Sequence, residues 1–128
     1  MSKYLLDTHA IIWFAENDQQ LSRNAVKIIE NADNEINVSI ASLWEIAVKV
    51  SIGKLKINKE IEKIVTLLED NQINLLPIRP THIAAYINLP LFHKDPFDRL
   101  IISQAISEQL TVISKDEHFS LYKVPINW

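Results

Sequence analysis

The 128-residue sequence predicts an α/β fold, a three-layer α/β/α sandwich around a mainly parallel sheet of four or five strands. Two observations predict it. Short apolar runs alternate with amphipathic helical patterns, and each return to a parallel neighbour needs a helix to carry the chain back. No repeat, low-complexity tract or linker interrupts the alternation, so residues 1–128 are expected to form a single domain.

Four runs read as strands: KYLLD (3–7), EINVS (35–39), INLLPI (73–78) and LTVISKD (110–116), with a further short strand possible in VPINW at the end. Helical periodicity marks THAIIWFAEN, SRNAVKIIENAD, ASLWEIAVKVSI up to Gly53, NKEIEKIVTLLEDN, PTHIAAYINL and DPFDRLIISQAISEQ. A sheet of this kind binds ligands at the carboxyl ends of its strands.

Composition narrows the function. With 48% hydrophobic and 23% charged residues, the chain falls in the globular range. It has no cysteine, which removes disulfides, thiolate zinc sites and cysteine nucleophiles and agrees with a reducing compartment, so the cytoplasm is expected. The longest apolar run, AIIWFA, is far too short to span a bilayer, and no export signal or membrane partner is expected. A single glycine rules out the glycine-rich phosphate loops of nucleotide-binding folds. A net charge of −3 argues against holding nucleic acid by bulk positive charge, so any such role must rest on a local site.

The acidic residues supply that site. Asp7 closes the first strand just before a helix; it is either an N-cap or a group on the ligand-binding edge. Asp116 repeats the arrangement after LTVIS. Glu45 borders the apolar stripe expected from Ile40, Leu43, Trp44, Ala47 and Val48, and Ser42 three residues earlier offers a capping box, with Ser39 a competing cap. In HKDPFDRLII, Asp95 before Pro96 is explained as a helix cap. Asp98 is not, because it stands three, four and seven residues before Ile101, Ile102 and Ala105, in the first turn of the buried stripe itself. A helix dipole favours an anion there by only about 0.3–1 kcal/mol, whereas an unpaired buried carboxylate costs several.

Asp7, Glu45, Asp98 and Asp116 all follow strands and so project toward one edge of one sheet. Gathering them requires raised pKa values or a divalent cation. All-oxygen ligands favour Mg²⁺ or Mn²⁺. Such an ion suits phosphoryl transfer, where it activates a water and stabilises charge on the leaving oxygen.

These residues carry a resemblance. YLLDTHAIIWF, VSIASLWEIAVKVSIGKL, LPLFHKDPFDRLIISQA and VISKDEHFSLYKV, in this order and spacing, resemble PIN-domain ribonucleases, and most closely the VapC-like toxins of type II toxin-antitoxin modules. The resemblance implies a metal-dependent endoribonuclease acting on RNA, with Asp7, Glu45 and Asp98 as metal ligands and catalytic residues and Asp116 as a fourth acidic position. It implies a supporting role for Thr8, whose hydroxyl can orient a carboxylate or a water on the metal, and for Ser114 in the family's small-hydroxyl position. Two partners are also implied: a second copy of the chain as a homodimer, and a cognate antitoxin whose C-terminal segment lies in the active-site groove.

His93, Lys94, Arg99 and Lys115 flank the acidic positions and are candidates for contacting RNA phosphates, as is His118. Lys49, Lys54, Lys56, Lys59 and Lys63 form a basic stretch that reads either as an RNA track or as a solvated face. His9 and His82 read as packing or surface residues, and the apolar first helix, with Trp13 and Phe14, as a face for a partner. Two rival functions share the fold class. A receiver-like phosphoacceptor module also gathers acids and Mg²⁺, but no acceptor aspartate closes EINVS or INLLPI; the other rival is a PIN fold that only binds.

Overall fold

The structure is a computed structural model that describes residues 2–128. In chain order it runs β1 (Lys3–Leu6), α1 (Thr8–Ala15), α2 (Arg23–Glu30), β2 (Glu35–Ser39), α3 (Ile40–Ser51), α4 (Ile61–Asp70), β3 (Asn74–Leu76), α5 (Pro80–Ile87), α6 (Pro96–Glu108), β4 (Thr111–Ile113), a 3-10 helix (Glu117–Tyr122) and β5 (Ile126–Asn127). The strands form one sheet in the order β3-β2-β1-β4-β5, and all its pairings are parallel. The expected sandwich is therefore present, with the terminal VPINW contributing the fifth strand.

Alternation along β1 divides the core. Leu6 packs with Ile11, Ile46, Ile64 and Leu68 on one face of the sheet. Leu5 packs with Ile101, Ile102, Val112 and Phe119 on the other. Each fully buried side chain of this size contributes roughly 1.5–3 kcal/mol, so the two clusters hold the sheet at a fixed depth between its helical layers. Because β2 and β3 lie to one side of β1 while β4 and β5 lie to the other, the strand order reverses between β1 and β4. That is where an open parallel sheet leaves a crevice at its carboxyl edge. The order also departs from the 2-1-3-4-5 arrangement of receiver modules, which removes the structural basis of that rival.

Helix starts follow from side-chain oxygens placed at strand and loop ends. Asp7 accepts from Ala10 N at 2.7 Å, Ser22 from Ala25 N at 3.0 Å and Ser39 from Ala41 N at 3.0 Å. Asp95 accepts from Phe97 N and Asp98 N at 2.9 and 3.2 Å, with Pro96 at the first helical position. Ser39 therefore caps α3, and the capping box from Ser42 does not form. With so little glycine, left-handed backbone at helix and turn ends falls to Asn17, Gln72, Gln109 and Lys123, at φ 53, 59, 56 and 59°, as well as to Gly53.

The layer containing α5 and α6 has a polar seam. Gln104 on α6 is fully buried; its side chain donates to Pro77 O at 3.2 Å and accepts from Ser39 Oγ at 2.5 Å. His82 on α5, also fully buried, accepts from Arg79 N through Nδ1 at 3.0 Å and meets Glu108 through Nε2 at 3.1 Å. The expectation of a packing histidine is met there, and each of these buried polar groups has a partner, as burial requires.

The exposed face of α3 differs from the expected one. Ala41, Ser42, Leu43, Glu45 and Ile46 are buried, while Ile40 and Trp44 are 40% and 60% exposed. The helix is rotated so that a polar edge, Ser42 and Glu45, faces inward. Trp44 instead lies edge-on to Phe97 of α6, with ring centroids 5.3 Å apart. Trp13, expected to face a partner, packs within the chain against Trp128 at 5.8 Å.

Candidate active site

Asp7 stands at the end of β1, at the reversal point, and is almost fully buried. Its Oδ1 is the α1 cap, and its Oδ2 accepts from Ser114 Oγ at 2.5 Å, from the end of β4. Capping and site chemistry are thus not alternatives for this residue. Burial pushes the Asp7 carboxyl above its ordinary pKa, and the Asp116 charge adds to this; the bonds from Ser114 and Ala10 and the nearby His9 offset part of the rise. Ser114 Oγ also accepts from Asp116 N at 3.0 Å.

Asp116 caps the 3-10 helix, accepting from the His118 backbone at 2.9 Å and lying 2.7 Å from its Nδ1. Partial burial pushes this carboxyl up, but the two His118 hydrogen bonds and the charges of His118 and His93 together outweigh it and hold Asp116 below its ordinary value. Asp7, His9, Trp13, Lys115 and Asp116 line a depression of about 260 Å³.

Glu45 lies on the buried face of α3. Thr8 Oγ1 donates to Glu45 Oε1 at 2.6 Å and lies 3.1 Å from Ser42 Oγ. Lys49, one turn along α3, donates to Glu45 Oε2 at 2.6 Å. Each Glu45 oxygen therefore already has one strong donor.

Asp98 enters from the start of α6. Its pKa is raised to about 7, first by burial and then by the charges of Asp95, Glu45, Asp116 and Asp7, in that order. Asp95 is the cap of the same helix, whereas Glu45, Asp116 and Asp7 come from three other segments, so the charges of the other three predicted acids reach Asp98. Among the described residues no hydrogen-bond donor reaches the Asp98 side chain; the His93 ring stands 3.7 Å away. His93 itself is oriented by Tyr122, whose hydroxyl lies 2.7 Å from Nδ1 and accepts from the His93 backbone at 3.0 Å.

The basic candidates separate. Lys94 and Lys115 are exposed, and His93 is half-buried beside Asp98. Arg99 is only 5% exposed, and its guanidinium donates to the carbonyls of Pro90 at 2.9 Å and His93 at 3.4 Å and stacks 4.9 Å from the Tyr86 ring. It points into the protein and not toward an incoming phosphate, because the loop before α6 needs its carbonyls satisfied. Sequence reasoning passed over Tyr122, read Ser42 as part of a capping box, and left Lys49 between an RNA track and a solvated face. The spacing of Glu45 and Lys49, four residues on one helix, is the signal that finds that pair.

The donor set suits a hard divalent cation. It is all oxygen, and it concentrates negative charge without matching donors around Asp98. Among the described residues no three His, Asp or Glu side chains converge closely enough to form a ready-made cage.

A family model for the PIN domain matches residues 4–125, and the chain belongs to that family. Its likeness to VapC proteins is equally extensive. It is 29% identical over 126 residues to Ribonuclease VapC22 of Mycobacterium tuberculosis (strain ATCC 25618 / H37Rv), covering 98% of this chain and 95% of that protein. Among solved structures it is similar to VapBC2 from Rickettsia felis bound to a DNA fragment from their promoter, with a TM-score of 0.75, 17% identity, and 98% and 97% of the two chains covered. It is also similar to a toxin-antitoxin complex from Klebsiella pneumoniae, with a TM-score of 0.61, 16% identity, and 91% and 90% covered. Among the described residues no helix is long and apolar enough to cross a membrane.

Proposed function

We propose that this chain is a single-domain, divalent-metal-dependent endoribonuclease that hydrolyses RNA phosphodiester bonds, and that it is the toxin of a type II toxin-antitoxin pair. The observation that carries the reading is Asp98. A carboxylate held near pKa 7 among four other acids, with no donor of its own, is an expensive arrangement that a bound cation relieves. Its place at the carboxyl edge of a parallel sheet, in a PIN domain, fits nuclease chemistry.

In this reading Asp98, whose oxygens accept no hydrogen bond among the described residues, holds Mg²⁺ or Mn²⁺ directly, while Asp7 and Glu45, whose oxygens each already accept one, hold it through their remaining lone pairs or through water. When bound, the ion supplies Lewis-acid activation of water and charge stabilisation at the scissile phosphate. Thr8 fixes the Glu45 carboxylate, Ser114 fixes Asp7, and Asp116, the acid held below its ordinary pKa, remains ionised to align the attacking water. Antitoxin binding is proposed on the likeness to the toxin-antitoxin complex, and a homodimer on the family resemblance of the sequence.

The test is RNA cleavage with Mg²⁺ or Mn²⁺, with and without a chelator. Asp7→Asn and Asp98→Asn are each expected to abolish cleavage while circular dichroism stays native. Cleavage retained in both variants defeats the reading, and a parent chain that binds RNA and metal without cutting makes it a binding module.

A further inference from the structure

Lys49, on α3 at the head of the basic stretch, turns its ammonium to an acid of the site. Its Nζ lies 2.6 Å from Glu45 Oε2 and feels the charges of Asp95 and Asp98 on α6. The Glu45 side chain is 4% exposed and that of Lys49 37%, so the ammonium sits at the rim with one side toward the acids and the other toward water. Three features follow from chemistry. An ammonium carries three donors, of which Glu45 occupies one. Glu45 is buried, so abandoning it would strand a carboxylate at a cost of about 3–5 kcal/mol, and the ammonium keeps that bond. A charge-assisted bond from one of the two remaining donors to a phosphate oxygen contributes about 1.5–3 kcal/mol. A polyanion entering a pocket of carboxylates also needs a positive charge beside the metal, and Arg99, at the same end of α6, is committed to backbone carbonyls.

We propose that Lys49 is a substrate-binding residue that keeps its bond to Glu45 and gives a second donor to a non-bridging oxygen of the RNA phosphate that enters beside Asp98. The inference rests on the ribonuclease reading and assigns that site a specific phosphate contact. The same ammonium continues to neutralise Glu45, so one side chain serves two anions at once.

Binding of a labelled single-stranded RNA, followed by fluorescence anisotropy at constant Mg²⁺ over a series of KCl concentrations, tests it in the cleavage-silent Asp98→Asn background. Lys49→Gln is expected to weaken binding about tenfold and to flatten the log–log salt dependence by about 0.7, the loss of one phosphate contact on a single strand. Lys49→Arg is expected to keep the parent slope. In the otherwise native chain, Lys49→Gln should raise KM more than it lowers kcat. Unchanged affinity and slope in Lys49→Gln, with or without a change in melting temperature, overturn the proposal and leave Lys49 as a structural partner of Glu45. If the Asp98→Asn parent fails to bind RNA and the native chain fails to cut it, the ribonuclease reading falls, and this inference with it.

Discussion

Ser114 Oγ donates to Asp7 Oδ2 across 2.5 Å, joining the carboxyl ends of β4 and β1 inside the acidic pocket. The same oxygen accepts from Asp116 N, so one hydroxyl serves two of the acids. Ser114→Ala should cost about 1–2 kcal/mol of stability. It should also let the Asp7 carboxyl rise further, since one of the groups holding it down is lost. Cleavage that needs ionised Asp7 should then show its acid limb displaced to higher pH, and Ser114→Thr should restore it. A pH–rate profile identical to that of the parent chain would show the bond to be idle.

Asp98 sets a pH dependence for the metal-free chain. Its folded pKa is about 7, against an ordinary 3.8. Below 3.8 both folded and unfolded chains carry the proton; between 3.8 and about 7 only the folded chain keeps it, so stability falls as pH rises through that window and levels off above it. Asp98→Asn cannot ionise. In the presence of chelator it should melt higher than the parent chain at pH 8, by about 1–4 kcal/mol, and match it near pH 4. Mg²⁺ should narrow the gap by stabilising the parent. A less stable Asn variant at pH 8 would contradict the geometry around this residue.

Arg99 should behave as a structural cation. Arg99→Met leaves the Pro90 and His93 carbonyls unpaired and should cost about 2–4 kcal/mol in denaturant unfolding. Arg99→Lys, which cannot reproduce the fork, should lose most of the same amount. Neither should change the salt slope of RNA binding while the variants remain folded, in contrast to Lys49→Gln.

Gln109 ends α6 at φ 56°, a left-handed conformation that costs a side-chain-bearing residue roughly 1 kcal/mol. Gln109→Gly should therefore raise stability, by up to about 1 kcal/mol, with cleavage unchanged. Thermal unfolding of the two chains decides it.

The strand and helix order was legible because it depends on local periodicity, and the acids at the ends of KYLLD and LTVIS were legible because strand ends define the ligand edge. What was hidden depends on distant partners. The inward face of α3 could not be read from its apolar stripe, because Ser42 and Glu45 are drawn inward by Thr8 of another helix, while Trp44 stays largely exposed, edge-on to Phe97. The helix breaks the hydrophobic pattern where it builds the candidate site. Arg99 sits beside Asp98 in sequence and looks like a phosphate ligand, yet its direction is set by carbonyls six and nine residues away. The short 3-10 helix carrying Tyr122 lacks the length to show a period at all.

The buried amide of Gln104, gripped by Ser39 and by the Pro77 carbonyl, prevents α6 from sliding along the sheet. Asp98 projects from the same rod six residues earlier, about 9 Å along its axis, so its reach into the crevice is gauged by a spacer of fixed length. Adding or removing one residue between the two would leave the anchor in place and swing the acid by about 100°. The helix thus works as a ruler with one end clamped, and its calibration would be lost before its folding was.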